Sequence, residues 1–237
     1  MVRICLLLCL ILYGGQLFAQ DVGRRQLIDS SAVRYMRMAD KQLALYYGKE
    51  AEGHLRALNH PYLKDDQYVK SRLSYCRIIY PEAKLRFDIN RDELVILSPD
   101  QRSIALFPEN VDFAELHGYT IIYFLRDSLP GCPSTGYYML LHSGKCKVLE
   151  KQTAMLMQKD TFSSTFEQHY VFSTYYYLNK DGVYYIIRNK RGLLKLLQPY
   201  KKELKRFISS HGWQFRRDAD KLIPMTVGEY EKLSGGQ

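Results

Sequence analysis

Between residues 68 and 188 the apolar positions recur at every second residue. Ala83, Leu85, Phe87 and Ile89 alternate with Lys84, Arg86 and Asp88, the spacing of a strand with one buried face. Asn90-Arg91 offers a turn into a second strand at 93–97. Ser98-Pro99-Asp100 offers another into 102–107, because proline presets the backbone of a turn's second position. His117-Gly118 leads into 119–125. Segments 137–142 and 145–151 read as a hairpin about Ser143-Gly144, and 170–178 and 183–188 as a hairpin about Lys180-Asp181-Gly182. Consecutive strands joined by short turns predict an antiparallel meander.

The period changes at both ends. Leu193, Leu197, Tyr200, Leu204, Phe207 and His211 recur at alternating three and four, the stripe of an amphipathic helix. Pro199 divides the stripe and can begin a second helix, which Gly212 ends. Asp218 is placed to cap a last helix carrying Leu222, Val227, Tyr230 and Leu233, with Pro224 expected to kink or delay it. Near the N-terminus, Asp29, Ser30 or Ser31 can cap a helix carrying Val33, Met36, Ala39, Leu43, Tyr46 and Tyr47 and stopping at Gly48. Residues 49–66, with Gly53 and Pro61, read as a linker or extended arm. The expected fold class is α+β: an antiparallel β-meander domain with an N-terminal helix and two or three C-terminal helices.

The first residues carry a different pattern. Arg3 precedes an uncharged apolar run, 4–13, broken by Gly14-Gly15 and ending in Leu17-Phe18-Ala19. That order is expected of a cleavable signal peptide over 1–19, and the run is about half the roughly 20 residues of a membrane-spanning helix. The resulting organisation is signal peptide 1–19, helical arm and linker 20–66, antiparallel β-domain 67–189 and basic helical region 190–237, with no later membrane span. Cys5 and Cys9 leave with the signal. Cys76, Cys132 and Cys146 remain, which in an oxidising compartment allows one disulfide at most; three buried thiols are the equal alternative.

The formal charge of +9 is concentrated. Residues 188–217 hold ten lysines or arginines and one acid, Glu203. Lys190, Arg191, Lys195, Lys201, Lys202, Lys205 and Arg206 are therefore the expected contacts to an anionic partner, an envelope protein or an anionic membrane surface. Nucleic acid is not the expected partner of an exported chain.

Catalytic signals are incomplete. Glycines 131 and 136 have the spacing of a phosphate-binding loop, but Tyr137 and Tyr138 stand where that loop needs Lys and Ser or Thr. His117-Gly118, Ser128 and Gly131-Cys132 are faintly similar to the L,D-transpeptidases, which use a cysteine nucleophile with a histidine base. Here Ser128 is one position too far from the cysteine, and Pro133 replaces an aliphatic residue followed by arginine. Six scattered histidines form no paired zinc motif, and no metal or cofactor is expected. Acidic pairs such as Asp92-Glu93 read as exposed turn residues. Tyr175, Tyr176, Tyr177, Tyr184 and Tyr185 sit on two paired strands, where exposed rings would stack on sugars.

The segments LSYCRIIYPEAKLRFDINRDELVIL, GYYMLLHSGKCKVLEKQ and YYLNKDGVYYIIRNKRGLLKLLQPYKKELKRFI resemble a group of exported Gram-negative envelope proteins without an assigned activity. The resemblance covers 39–233 and is most specific in the hairpin followed by the basic helix. It implies export and a β-region followed by helices, and it assigns no catalytic residue. The leading expectation is a non-enzymatic exported binding or accessory module, periplasmic or outer-membrane-associated. The alternatives are a cell-wall-modifying cysteine enzyme using Cys132 and His117, or a glycan-binding module using the hairpin from Tyr175 to Tyr185.

Overall fold

The computed structural model describes residues 45–126, 131–159 and 167–235. The chain divides into two compact units, 1–47 and 48–237. The expected signal peptide and all but the last residues of the expected N-terminal helix lie outside the described residues. The second unit contains a single antiparallel sheet, eleven-stranded among the described residues, followed by three helices.

The strands are β1 (Lys49–Glu50), β2 (Val69–Tyr75), β3 (Ile78–Asp88), β4 (Glu93–Leu97), β5 (Ser103–Ala105), β6 (Val111–Leu116), β7 (Tyr119–Phe124), β8 (Gly136–Ser143), β9 (Lys147–Lys159), β10 (Glu167–Lys180) and β11 (Val183–Ile187). Their order is β1-β5-β4-β3-β2-β6-β7-β8-β9-β10-β11. Two meanders thus run outward from a central β2–β6 pair. The alternation expected at 83–89 is seen as far as Phe87: Ala83, Leu85 and Phe87 are buried, but Asp88, expected outward, is buried as well. Strands β2 and β6 were not expected. In β2 the inward row is Ser71, Leu73 and Tyr75, and a serine in that row weakens the apolar signal. In β6, Val111 is buried but the buried set then shifts to Ala114 and Leu116, because the β2–β6 register slips at Ser74/Tyr75.

β8 is covered on both faces. Tyr137 and Tyr138, neighbours that point to opposite sides, are both fully buried. Tyr137 meets Phe87 at 5.7 Å and Tyr123 at 5.1 Å between ring centroids. Tyr138 packs edge-on against Phe124 and Tyr177. The turn between β3 and β4 lies over β8 and β9: Asp92 accepts the Tyr137 N–H at 3.1 Å and pairs with Lys151 at 2.6 Å.

Helices α1 (Lys190–Leu196), α2 (Lys201–Ser210) and α3 (Phe215–Gly235) pack on one face of β9–β11. Leu193, Leu197, Leu204, Ile208, Leu222, Ile223 and Val227 bury against Val148, Leu178 and Ile187. The expected stripe holds at Leu193, Leu197 and Leu204. His211 instead lies exposed, stacked on Trp213 at 4.2 Å, and Ile208 takes the inward position. The break in α3 falls at Asp218 (φ −120°, ψ 23°) rather than at Pro224. The Asp218 carboxylate accepts the Gln214 N–H at 2.8 Å, and the turn at Pro224 is supported by Thr226 Oγ1 donating to Leu222 O at 2.6 Å. Farther along α3, Glu231 accepts the Cys146 N–H at 2.6 Å and meets His142 Nε2 at 3.1 Å. A Cβ at Gly144 would overlap that carboxylate, so a side chain there would displace Glu231 from the Cys146 N–H.

Residues 51–66 run along the sheet and are fastened to it. Leu58 donates to Gln168 O at 2.8 Å. The Asn59 side chain imitates a paired strand: it donates to Tyr170 O at 2.9 Å and accepts Tyr170 N–H at 2.7 Å. Removing that amide takes the partner from two backbone groups of β10, and each such hydrogen bond contributes about 0.5–1.5 kcal/mol net. Asn59→Ala is accordingly expected to lower the unfolding free energy in urea by about 2 kcal/mol. A loss below about 0.5 kcal/mol, the size of an ordinary surface substitution, would show that Asn59 does not fasten the arm.

Candidate functional site

On α2, residues 202, 205 and 206 fall on one arc of the helix, away from the buried Leu204 and Ile208, while Lys201 stands in the first turn, seven residues before Ile208. Lys201, Lys202, Lys205 and Arg206 are all exposed, as are Arg191 and Lys195 on α1, while Lys190 is half-buried. None of the seven forms an ion pair among the described residues; the pairs in this region are Arg217–Asp218 and Lys232–Glu229. Lys201 and Lys202 also sit in the first turn of α2 with only Glu203 as an acid. A helix N-terminus already carries partial positive charge, so this placement does not serve helix stability.

His117 and Cys132 have different neighbours. His117 lies in the turn before β7 with its Nε2 4.0 Å from Asp65. Cys132 follows the opposite end of β7 and packs against the Tyr138, Leu149 and Tyr184 cluster. Gly131, beside Cys132 in sequence, approaches Tyr184 O on β11, which lies four strands from β7 in the sheet. No disulfide joins the three described cysteines: Cys76 is exposed, Cys132 half-buried and Cys146 buried. Burial, then the nearby Glu231 charge, pushes the Cys146 thiol pKa up.

The tyrosine hairpin does not present a row of rings. Tyr175 is 47% exposed but Tyr184 is buried. Tyr176 and Tyr185 pack against the helix core, and Tyr177 against Tyr138. The strand face expected to stack on sugars is therefore mostly occupied by the protein's own packing.

Three polar constellations were missed from sequence. Asp88, nearly fully buried, hydrogen-bonds His54 Nε2, and His54 Nδ1 lies 2.9 Å from Tyr170 Oη. Asp88 Oδ1 accepts the N–H groups of Asn90 and Arg91 at 3.0 and 3.1 Å. Burial, with the Asp88 charge next, raises the Tyr170 pKa, so its phenol is a hydrogen-bonding group rather than a nucleophile. This carboxylate–imidazole–phenol chain anchors the 51–66 segment. The second constellation is Asp92 with Lys151: expected as an exposed turn residue, Asp92 is instead held on β8 and β9. The third is Glu150, 2% exposed, whose Oε1 accepts from Gln152 at 2.7 Å while Oε2 has no partner among the described residues. Each joins residues distant in sequence or hides an acid inside a strand, and no local pattern signals them.

Among the described residues no group of three or more His, Cys, Asp or Glu is arranged to hold a metal ion, and no helix is long and apolar enough to cross a membrane. Comparison with protein-family models, with curated proteins and with solved structures finds no match to this chain.

Burial raises the Glu150 pKa above its ordinary 4.5, with the Gln152 hydrogen bond opposing. The folded state then binds the proton more tightly than the unfolded chain. Its stabilising effect is present below the ordinary value and is lost as pH rises through the raised one. Urea unfolding across that range is expected to show wild-type stability falling with pH more steeply than that of Glu150→Gln. Parallel profiles would contradict the assignment.

Proposed function

We propose that this chain is an exported, non-enzymatic binding or accessory module of the cell envelope that holds an anionic partner on the outer faces of α1 and α2. The observation that carries the reading is the set Lys190, Arg191, Lys195, Lys201, Lys202, Lys205 and Arg206, none of them in an ion pair among the described residues. A basic face that merely keeps a helix soluble is usually interspersed with acids; here one acid, Glu203, stands among the seven. Export is supported by the charged, apolar and small-residue order of 1–19. A binding role rather than catalysis is supported by the different neighbours of Cys132 and His117 and by the enclosed packing of the His54 chain.

The test is cosedimentation with vesicles of zwitterionic phospholipid, alone or mixed with phosphatidylglycerol. Each lysine or arginine near an anionic bilayer contributes about 1 kcal/mol. The Lys201→Gln, Lys202→Gln, Lys205→Gln, Arg206→Gln variant is therefore expected to bind anionic vesicles on the order of a thousandfold more weakly at low salt. Wild-type binding should fall as salt rises. A wild-type chain that ignores anionic vesicles but retains an acidic envelope protein at low salt, and loses it in the variant, would place the same face on a protein partner. Unchanged association of the variant with both would overturn the reading.

A further inference from the structure

The edge of β10 is open over a short and bounded stretch. β10 pairs with β9 from Glu167 to Asn179 but with β11 only from Tyr176 to Lys180. On that same edge, Leu58 and Asn59 cover Gln168 and Tyr170. Alternate residues of an antiparallel strand point their N–H and C=O groups to the same side. The direction of Tyr170 toward Asn59 therefore sets that of Phe172 and Thr174. Among the described residues no backbone hydrogen bond reaches either residue on this edge. From Tyr170 to Tyr176 the gap is about 20 Å long at 3.4 Å per residue.

We propose that this gap receives an extended peptide segment of a partner protein, added as a strand across Phe172 and Thr174, apolar at alternate positions and acidic at the end nearest Arg188. The inference is independent of the basic faces of α1 and α2. Three features carry it. First, the stretch Val171-Phe172-Ser173-Thr174-Tyr175 contains no charge or proline, the devices that ordinarily protect an edge. Phe172 and Tyr175 are 42% and 47% exposed, and Ile186 on β11 is 49% exposed.

Second, a cavity adjoins each end of the gap. One, of about 400 Å³, is lined by Thr174, Tyr176, Ile187, Arg188 and Phe215. The other, of about 340 Å³, is lined by Phe172, Asn59, Tyr62, Ile89 and Gln152. Side chains of an added strand alternate in direction, so every second one can enter these cavities while the others lie along Val171 and Ser173. Third, Arg188 is exposed and forms no ion pair among the described residues, so it matches an acidic side chain or a terminal carboxylate. The gap also selects against a second copy of this chain. A second β10 edge would bring its own Asn59 segment and β11 against the same two boundaries. A lone strand of about five residues fits between them.

The test begins with a displayed library of random heptapeptides, panned against the chain. The expected outcome is enrichment of sequences with alternating apolar residues and an acid toward one end. An enriched peptide is then synthesised and measured against two variants. The Thr174 N–H points away from β9, so Thr174→Pro removes an edge donor without breaking the β9–β10 ladder, and it should weaken binding at least tenfold. Arg188→Glu should disfavour the acidic peptide. If Thr174→Pro lowers the melting temperature of the chain, N-methylation of alternate residues of the peptide makes the same test from the other side and should abolish binding. Hydrogen exchange should slow at the amides of residues 172 and 174 when the peptide is bound. No enrichment, or a peptide whose binding survives both Thr174→Pro and N-methylation, would overturn the proposal.

Discussion

The Asp92 carboxylate joins the two meanders. It sits in the turn between β3 and β4 at a left-handed φ of 58°, accepts the Tyr137 N–H at 3.1 Å and pairs with Lys151 at 2.6 Å. Lys151 also donates to Tyr137 O at 3.0 Å and lies 5.0 Å from the centre of the Tyr138 ring. The pair is partly withdrawn from water, with the lysine side chain 11% and the aspartate 30% exposed. In such a setting removing one partner is costly, because the other charge stays behind unpaired. Gly136 is the steric counterpart: a Cβ there would overlap Asp92 and come within 2.7 Å of Lys151 Nζ.

Much of the remaining architecture follows from that fastening. With the β3–β4 turn on β8, Asn90 reaches Ala154 O at 2.8 Å and Asp88 lies where His54 and Tyr170 can close a chain of hydrogen bonds. That chain holds the 51–66 segment along β10 and sets one boundary of the open edge. The opposite face of β9–β11 is left for the helices. Once Leu204, Ile208, Leu222 and Val227 turn inward, helical spacing leaves Lys202, Lys205 and Arg206 outward, and Lys201 is exposed in the first turn. The basic face and the open edge are thus two consequences of how the second meander is covered.

Sequence alone reached the parts governed by local chemistry. The alternation at Ala83, Leu85 and Phe87, the turns at Asn90-Arg91, Ser98-Pro99-Asp100 and Lys180-Asp181-Gly182, and the helical stripe through Leu193, Leu197 and Leu204 depend on neighbours within a few residues. β9 and β10 ran longer than expected because Met155 and Met157 are apolar yet exposed, so the pattern there carries no inside and outside. His54, Asp88 and Tyr170 come from three separate elements, and the contact of His54 with Tyr170 spans 116 residues. Nothing at any one of them marks the others. The basic residues were identifiable because their number and helical spacing are local properties. Charge carries the sign of a partner, not its identity.

A double-mutant cycle in urea on Asp92→Asn and Lys151→Met tests most directly whether this ion pair joins the meanders. The account predicts that each single substitution costs about 3 kcal/mol or more. It also predicts that the double variant costs well below their sum, with a coupling of at least about 1 kcal/mol. Single losses that add within about 0.3 kcal/mol would contradict it, and the meeting of the two meanders would then have to rest on the Phe87–Tyr137 packing instead.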